Sequence, residues 1–189
     1  MKRGIPVLII ILIFLFTTIA FCEKLEEKEH LKIGEQAPKF ILKDADDKEH
    51  RFDKILAKDK GDAQILILVI GDPKTRKSGN SWAKELDKLY KEKKEISIYM
   101  IADLRGLPFF ATESMVKWGT KREKLPVPIL LDWDGKISEL YKTQRGESNL
   151  FIIDKDGKIR HYFAGQYKSE NLKNLQAKIQ ENLNEKKTS

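Results

Sequence analysis

Cysteine is all but missing from this chain: Cys22 is the only one among 189 residues. Everything after it therefore lacks a disulfide, a thiolate nucleophile and a thiolate metal ligand. Histidine is nearly as scarce, and His30, His50 and His161 are scattered without the spacing of a zinc site. Ser78, Ser81, Ser114 and Ser148 each lack the pair of flanking glycines that a nucleophile elbow needs, which removes support for serine hydrolysis. Basic residues outnumber acids, 36 to 29, yet they neither interleave with aromatics nor line one helix face. No nucleic-acid surface is expected, and no cofactor motif is found.

What the chain does have begins with an export-type N-terminus. Lys2 and Arg3 precede an uncharged apolar run from Ile5 to Phe21. Three readings stay open for residues 1–22. Small residues at Ala20 and Cys22 suit signal-peptidase cleavage before Glu23, which is the favoured reading. Lipidation at Cys22 is the second, although Phe21 stands where a small residue is usual. An uncleaved anchor is the third, the run being at the short limit for a bilayer span. All three place the rest of the chain outside the cytoplasm, periplasmic or secreted, with membrane contact only through this segment. Residues 23–30 read as a charged spacer, 31–185 as one domain and 186–189 as a polar tail.

Within the domain the hydrophobic period changes repeatedly. Lys39–Lys43 and His50–Phe52 flank an Asp-rich turn and read as a hairpin. Gln64–Ile70 is an unbroken apolar run of strand length. Trp82, Leu86, Leu89 and Tyr90 then mark one face of a helix, with Ser78, Asn80 or Ser81 as its cap. Ile96–Ala102 and Ile129–Leu131 are further strands, separated by a partly helical Leu107–Trp118. Leu150–Ile153 and Ile159–Phe163 form a second hairpin, and Leu172, Leu175, Ile179 and Leu183 stripe a closing helix capped by Ser169. Alternation in the middle with a hairpin at each end gives an α/β fold: a mixed sheet with helices on both faces.

Three segments carry a family resemblance. Ile33-Gly34-Glu35-Gln36-Ala37-Pro38-Lys39-Phe40, Glu85-Leu86-Asp87-Lys88-Leu89-Tyr90 and Phe151-Ile152-Ile153-Asp154-Lys155-Asp156-Gly157-Lys158-Ile159 resemble the entry segment, first long helix and closing hairpin of redoxins. The resemblance is to the thioredoxin-like superfamily, including peroxiredoxins and alkyl hydroperoxide reductases, and within it to cysteine-less proteins of bacterial envelopes. It implies a thioredoxin-like fold over about residues 31–184. It also places the redox motif near Lys74–Gly79, where no cysteine stands, and the flanking cis-proline at Ser148. Thiol exchange runs through a thiolate, which a neutral Ser or Thr hydroxyl cannot replace. Oxidoreductase, isomerase and thiol peroxidase activities are therefore not expected.

One further constellation remains. Asp72, Asp103 and Asp132 each follow an apolar strand, where open parallel sheets place their ligand crevice. With Arg105 and Trp133 beside them they form the candidate ligand site, for a small polar ligand or an envelope protein; capping and turn formation are the plain alternative. Asp132-Trp133-Asp134-Gly135 imitates a phosphatase nucleophile motif but reads as a turn, and no catalytic or metal residue is assigned. Trp82 and Trp118 are expected to pack, and Trp133 to stand exposed. The expected function is a redox-inactive binding or accessory module. A hydrolase-type envelope enzyme using the three carboxylates, or a non-catalytic docking partner of a thiol oxidoreductase, is the alternative.

Overall fold

The computed structural model describes residues 31–57 and 65–185. The sequence readings for residues 1–30 and 186–189 lie outside them. Seven strands form one sheet: β1 (Ile41–Asp44), β2 (Glu49–Arg51), β3 (Ile65–Gly71), β4 (Ile96–Asp103), β5 (Ile129–Asp132), β6 (Asn149–Asp154) and β7 (Ile159–Ala164). Their spatial order is β2-β1-β5-β4-β3-β6-β7, with β5, β4 and β3 parallel and every other pairing antiparallel. The hairpins thus supply both antiparallel edges. Five helices complete the described fold: α1 (Phe52–Leu56), α2 (Arg76–Tyr90), α3 (Glu113–Arg122), α4 (Lys136–Leu140) and α5 (Ser169–Glu185).

β3 shows why its apolar run is unbroken. Leu66, Leu68 and Ile70 enter one core with Phe40, Phe52, Tyr141 and Phe151, while Ile65, Ile67 and Val69 enter the opposite core with Trp82, Leu86, Leu175 and Ile179. Alternate residues of a strand point to opposite faces, so a central strand covered on both sides needs an apolar residue at every position. The first core lies under α1 and α4, the second under α2 and α5.

The two hairpins close with the same chemistry. Asp44 Oδ1 accepts from the amides of Asp46 and Lys48, and Asp154 Oδ1 from those of Asp156 and Lys158, at 2.9–3.1 Å. The second oxygen takes a cationic or imidazole side chain six residues on: His50 at 2.7 Å and Arg160 at 2.7 Å. The entry segment then bonds to the second hairpin through Gly34 N to Ile159 O (2.7 Å) and Ala37 N to Gly157 O (2.8 Å). These contacts lie at the N-terminal end of β3, because Ile65 pairs with Asp154. Asp72, Asp103 and Asp132 lie at the other end.

Two features of α2 differ from expectation. α2 starts at Arg76 with Thr75 at its N-cap, so Ser78, Asn80 and Ser81 lie inside the helix. Asp72 moves the start upstream: its Oδ1 accepts from the amides of Lys74 (2.9 Å) and Thr75 (3.1 Å), satisfying donors that the helix itself leaves free. Leu89 is exposed because the buried face runs through Trp82, Ala83, Leu86 and Tyr90.

Candidate functional site

The C-terminal ends of β3, β4 and β5 bring the predicted carboxylates to one end of the sheet, but each has its own partners. Asp72, besides holding the turn that leads into α2, accepts from Gly146 N at 2.8 Å and so ties down the loop before β6. Asp103 is buried and grips Arg105, with Nε 3.0 Å from Oδ1 and Nη2 2.6 Å from Oδ2, while the Arg105 amide adds a 3.1 Å bond. Arg105 Nη1 donates in turn to Glu139. Its side chain lies directly over Gly135, where an added Cβ would fall 1.6 Å from Nε, and Gly135 has φ +67°. Both facts reserve that position for glycine. Asp134 accepts the Lys136 amide at 3.1 Å, so residues 132–135 form a turn into α4.

Asp132 pairs in register with Asp103 across the parallel ladder. Its Oδ2 accepts from Ser138 N (3.0 Å) and Ser138 Oγ (3.2 Å), whereas its buried Oδ1 has no hydrogen-bond partner among the described residues. Burial pushes the Asp132 carboxyl above the ordinary carboxylate range, the Ser138 and Ile137 amides oppose this in part, and the neighbouring Asp103 charge adds to the rise. Asp103 goes the other way. Burial alone would raise it, but the Arg105 side-chain and backbone hydrogen bonds outweigh burial and hold it below the ordinary value.

Asp72 and Asp103 border a cleft of about 330 Å³ between the start of α2, the end of β4 and α3. Asp132 does not line it. The floor is Met100, Ile101, Ala102 and Ile129, and Leu104, Leu107, Ala111, Met115 and Val116 close the far side. Glycines make the hollow: a Cβ on Gly79 would meet Met100 at 3.2 Å, and one on Gly119 would point into open space. Along one rim, Arg76 and Asn80 both donate to Glu123.

α3 forms the outer wall and has no fully buried residue. Lys117 bonds Asp47 at 2.6 Å and Glu113 at 2.6 Å, and Lys121 bonds Asp46 at 2.5 Å, so α3 is fastened to the β1–β2 turn by charge. Trp118, expected to pack, is 61% exposed with the Arg122 guanidinium 4.6 Å from its ring centre. Trp133 is exposed to 40%. Phe109 (101%), Phe110 and Met115 are also exposed, all between residues 109 and 118. The sequence reading missed this cleft and the exposure of the aromatics between residues 109 and 118. Phe109-Phe110 beside Pro108 in a short loop was the one visible signal.

Where the family's reactive centre would fall, α2 opens with hydroxyls that are already bonded. Ser78 Oγ lies 2.9 Å from Ser148 Oγ and accepts the Tyr167 amide at 2.8 Å. No cis peptide occurs among the described residues, at Ser148 or elsewhere.

A family model described as AhpC/TSA matches residues 33–162. The chain belongs to the AhpC/TSA family. Thiol-disulfide oxidoreductase ResA of Bacillus cereus is 29% identical over 160 residues, covering 81% of this chain and 82% of its own. ResA of Bacillus thuringiensis subsp. konkukian is 30% identical over the same length and coverage. Among solved structures, a candidate thiol:disulfide interchange protein DsbE of Chlorobium tepidum superposes with a TM-score of 0.63 at 17% identity. That superposition covers 81% of this chain and 99% of the other, and it shows the shared thioredoxin-like fold. No group of three or more His, Cys, Asp or Glu side chains among the described residues is placed to hold a metal ion. No described helix is long and apolar enough to cross a membrane.

Proposed function

We propose that this chain is a redox-inactive thioredoxin-like binding module that works outside the cytoplasm. One observation carries the reading: Lys74 to Gly79, the segment that leads into and opens α2, contains no cysteine, and the only cysteine of the chain is Cys22. The hydroxyls that remain there, Thr75 and Ser78, are engaged by backbone and side-chain partners, none of them an imidazole. An alcohol without a general base is not a nucleophile near neutral pH. The cleft beside this segment, without a reactive group in it, suits binding. The apolar run Ile5–Phe21 behind Lys2 and Arg3 supports the location.

The hydrolase-type alternative has weaker support. Asp72 is taken by three amides, Asp103 by a guanidinium, and Asp132 does not line the cleft. The test is direct. Full-length protein should show no insulin reduction, peroxide consumption or disulfide isomerisation above buffer, and Cys22→Ser should change none of these assays. Thiol-dependent turnover above background overturns the reading.

A further inference from the structure

We propose that the cleft between the start of α2, the end of β4 and α3 binds a free, uncharged apolar molecule of about ten to thirteen carbon atoms. The inference rests on the binding-module reading and names the chemistry of what is bound.

The polar side chains of the lining are already engaged, and this selects the ligand. Asp72 Oδ1 accepts from the Lys74 and Thr75 amides, and its Oδ2 from Gly146 N. Both oxygens of Asp103 are held by Arg105, and those of Glu123 by Arg76 and Asn80. The hydroxyls of Thr75 and Thr120 donate to Asp72 O and Val116 O. Every carboxylate oxygen of the lining thus has a donor, so none is left open for an ammonium group. An anion would meet three lining carboxylates against one lining guanidinium. A polar guest would have to displace an existing bond, at a cost that its own bond only offsets. An apolar guest displaces none. It meets Ile101, Ala102, Leu107, Ile129 and two methionines, Met100 and Met115, whose unbranched side chains adapt to what they cover.

Gly119 is a second, independent sign. It stands inside α3, four residues after Met115 and on the same wall of the cleft. Glycine weakens a helix interior relative to alanine, yet an added Cβ here would meet nothing within 4 Å. No packing among the described residues requires the position to be empty; the space it leaves is space for a guest. Volume sets the size of that guest. An apolar cavity of about 150 Å³ binds benzene. Filled to the same degree, the 330 Å³ of this cleft takes roughly thirteen carbon atoms. One phenyl side chain of a partner protein would leave about half of the hollow empty, and the lining around the void would forfeit its contacts. The cleft also falls in the size range of small-molecule sites.

The experiment uses the full chain in phosphatidylcholine nanodiscs, with carbon-13 in the methionine methyl groups, read by nuclear magnetic resonance. Met100 and Met115 line the cleft, and Met1, the only other methionine, is the control. Naphthalene, its free concentration fixed by dialysis against empty discs, should shift the Met100 and Met115 signals saturably and leave Met1 in place. It should bind about ten-fold or more tightly than naphthoate, naphthylmethylamine and N-acetylphenylalanine amide. Gly119→Leu fills the hollow and should abolish the shifts, and Gly119→Ala should weaken binding several-fold. Both variants should melt at or above the wild-type temperature, because either side chain improves helix propensity. If Gly119→Leu melts lower, Gly119→Ala decides alone. Absent or unsaturable shifts, a charged probe or the phenylalanine amide binding as tightly, or affinity indifferent to these substitutions overturns the proposal. So does a Gly119→Ala variant that melts lower, since the fold itself would then require the glycine. A spin label near the end of the disc lipid's acyl chain that broadens Met115 before naphthalene is added makes the occupant a lipid tail, and also overturns it. The thiol assays run on the same preparation separate the two readings: turnover there defeats the binding-module reading, whereas silent assays with no naphthalene binding defeat only the apolar site.

Discussion

α2 and α3 each follow a parallel strand, each carry a tryptophan, and are held in opposite ways. α2 buries Trp82 completely, between the sheet and the rings of Phe163 and Tyr167, whose centres lie 5.8 and 5.2 Å away. α5 then covers that side of the sheet through Leu172, Leu175 and Ile179. α3 has no such cover, and its contacts with the β1–β2 turn are ion pairs. The lesson is that the apolar residues of a helix become core only where a neighbouring element packs against them. Where none does, the same apolar residues are left as surface, available to a partner.

Substitutions can break this contrast, beginning with the largest. Trp82→Ala should cost about 3–5 kcal/mol through lost burial and a cavity in the α2–α5 core, measured by denaturant unfolding. A loss below about 1 kcal/mol would place Trp82 with the surface tryptophans. Asp103→Asn, in the charge-held half, should cost about 1.5–3 kcal/mol by weakening the Arg105 bonds. Because the Asp103 pKa is lowered in the fold, its stabilisation is present above the unfolded carboxylate pKa and lost as pH falls through the folded value. The gap between wild type and variant should therefore close in acid; a gap that persists there removes the ion-pair explanation. Asp132→Asn should have the reverse sign, raising stability at neutral pH by about 0.5–2 kcal/mol. The Asp132 pKa is raised, so its contribution is fully present below the unfolded value and lost as pH rises through the folded one. A destabilised variant at pH 7 would mean that the charged form is needed. Trp118→Ala should be the smallest, within about 0.5 kcal/mol.

Much of the fold was legible in the sequence because burial leaves a period. The β3 run, the hairpins at Asp46-Asp47 and Asp156-Gly157, and the stripe of α5 all follow from which side chains must leave water. The five-residue helices α1 and α4 were not legible, since one turn and a half has no period to read. The start of α2 was missed for a different reason: Asp72 and Thr75 form the turn that leads into it, outside the periodic stretch. The cleft was hidden most deeply. Gly71, Gly79, Ala102 and Gly119 shape it by what they lack, and they come from four separate parts of the chain. The strand-end carboxylates were found at the correct end of the sheet, but their partners, Gly146, Arg105 and Ser138, could be assigned only once the loops were in place.

The fastening of α3 has a consequence for the behaviour of the protein in brine. At molar salt the screening length shrinks to about 3 Å, and the pairs of Lys117 and Lys121 with the β1–β2 turn lose most of their attraction. The apolar cores do not depend on such pairs, so salt should loosen the outer edge of α3, by the small free energy that exposed pairs carry, while the sheet stays folded. Hydrogen exchange in residues 113–122 would then quicken with ionic strength while β3 stayed protected. The outer wall of the hollow is thereby the side of the domain most exposed to the ionic strength around it.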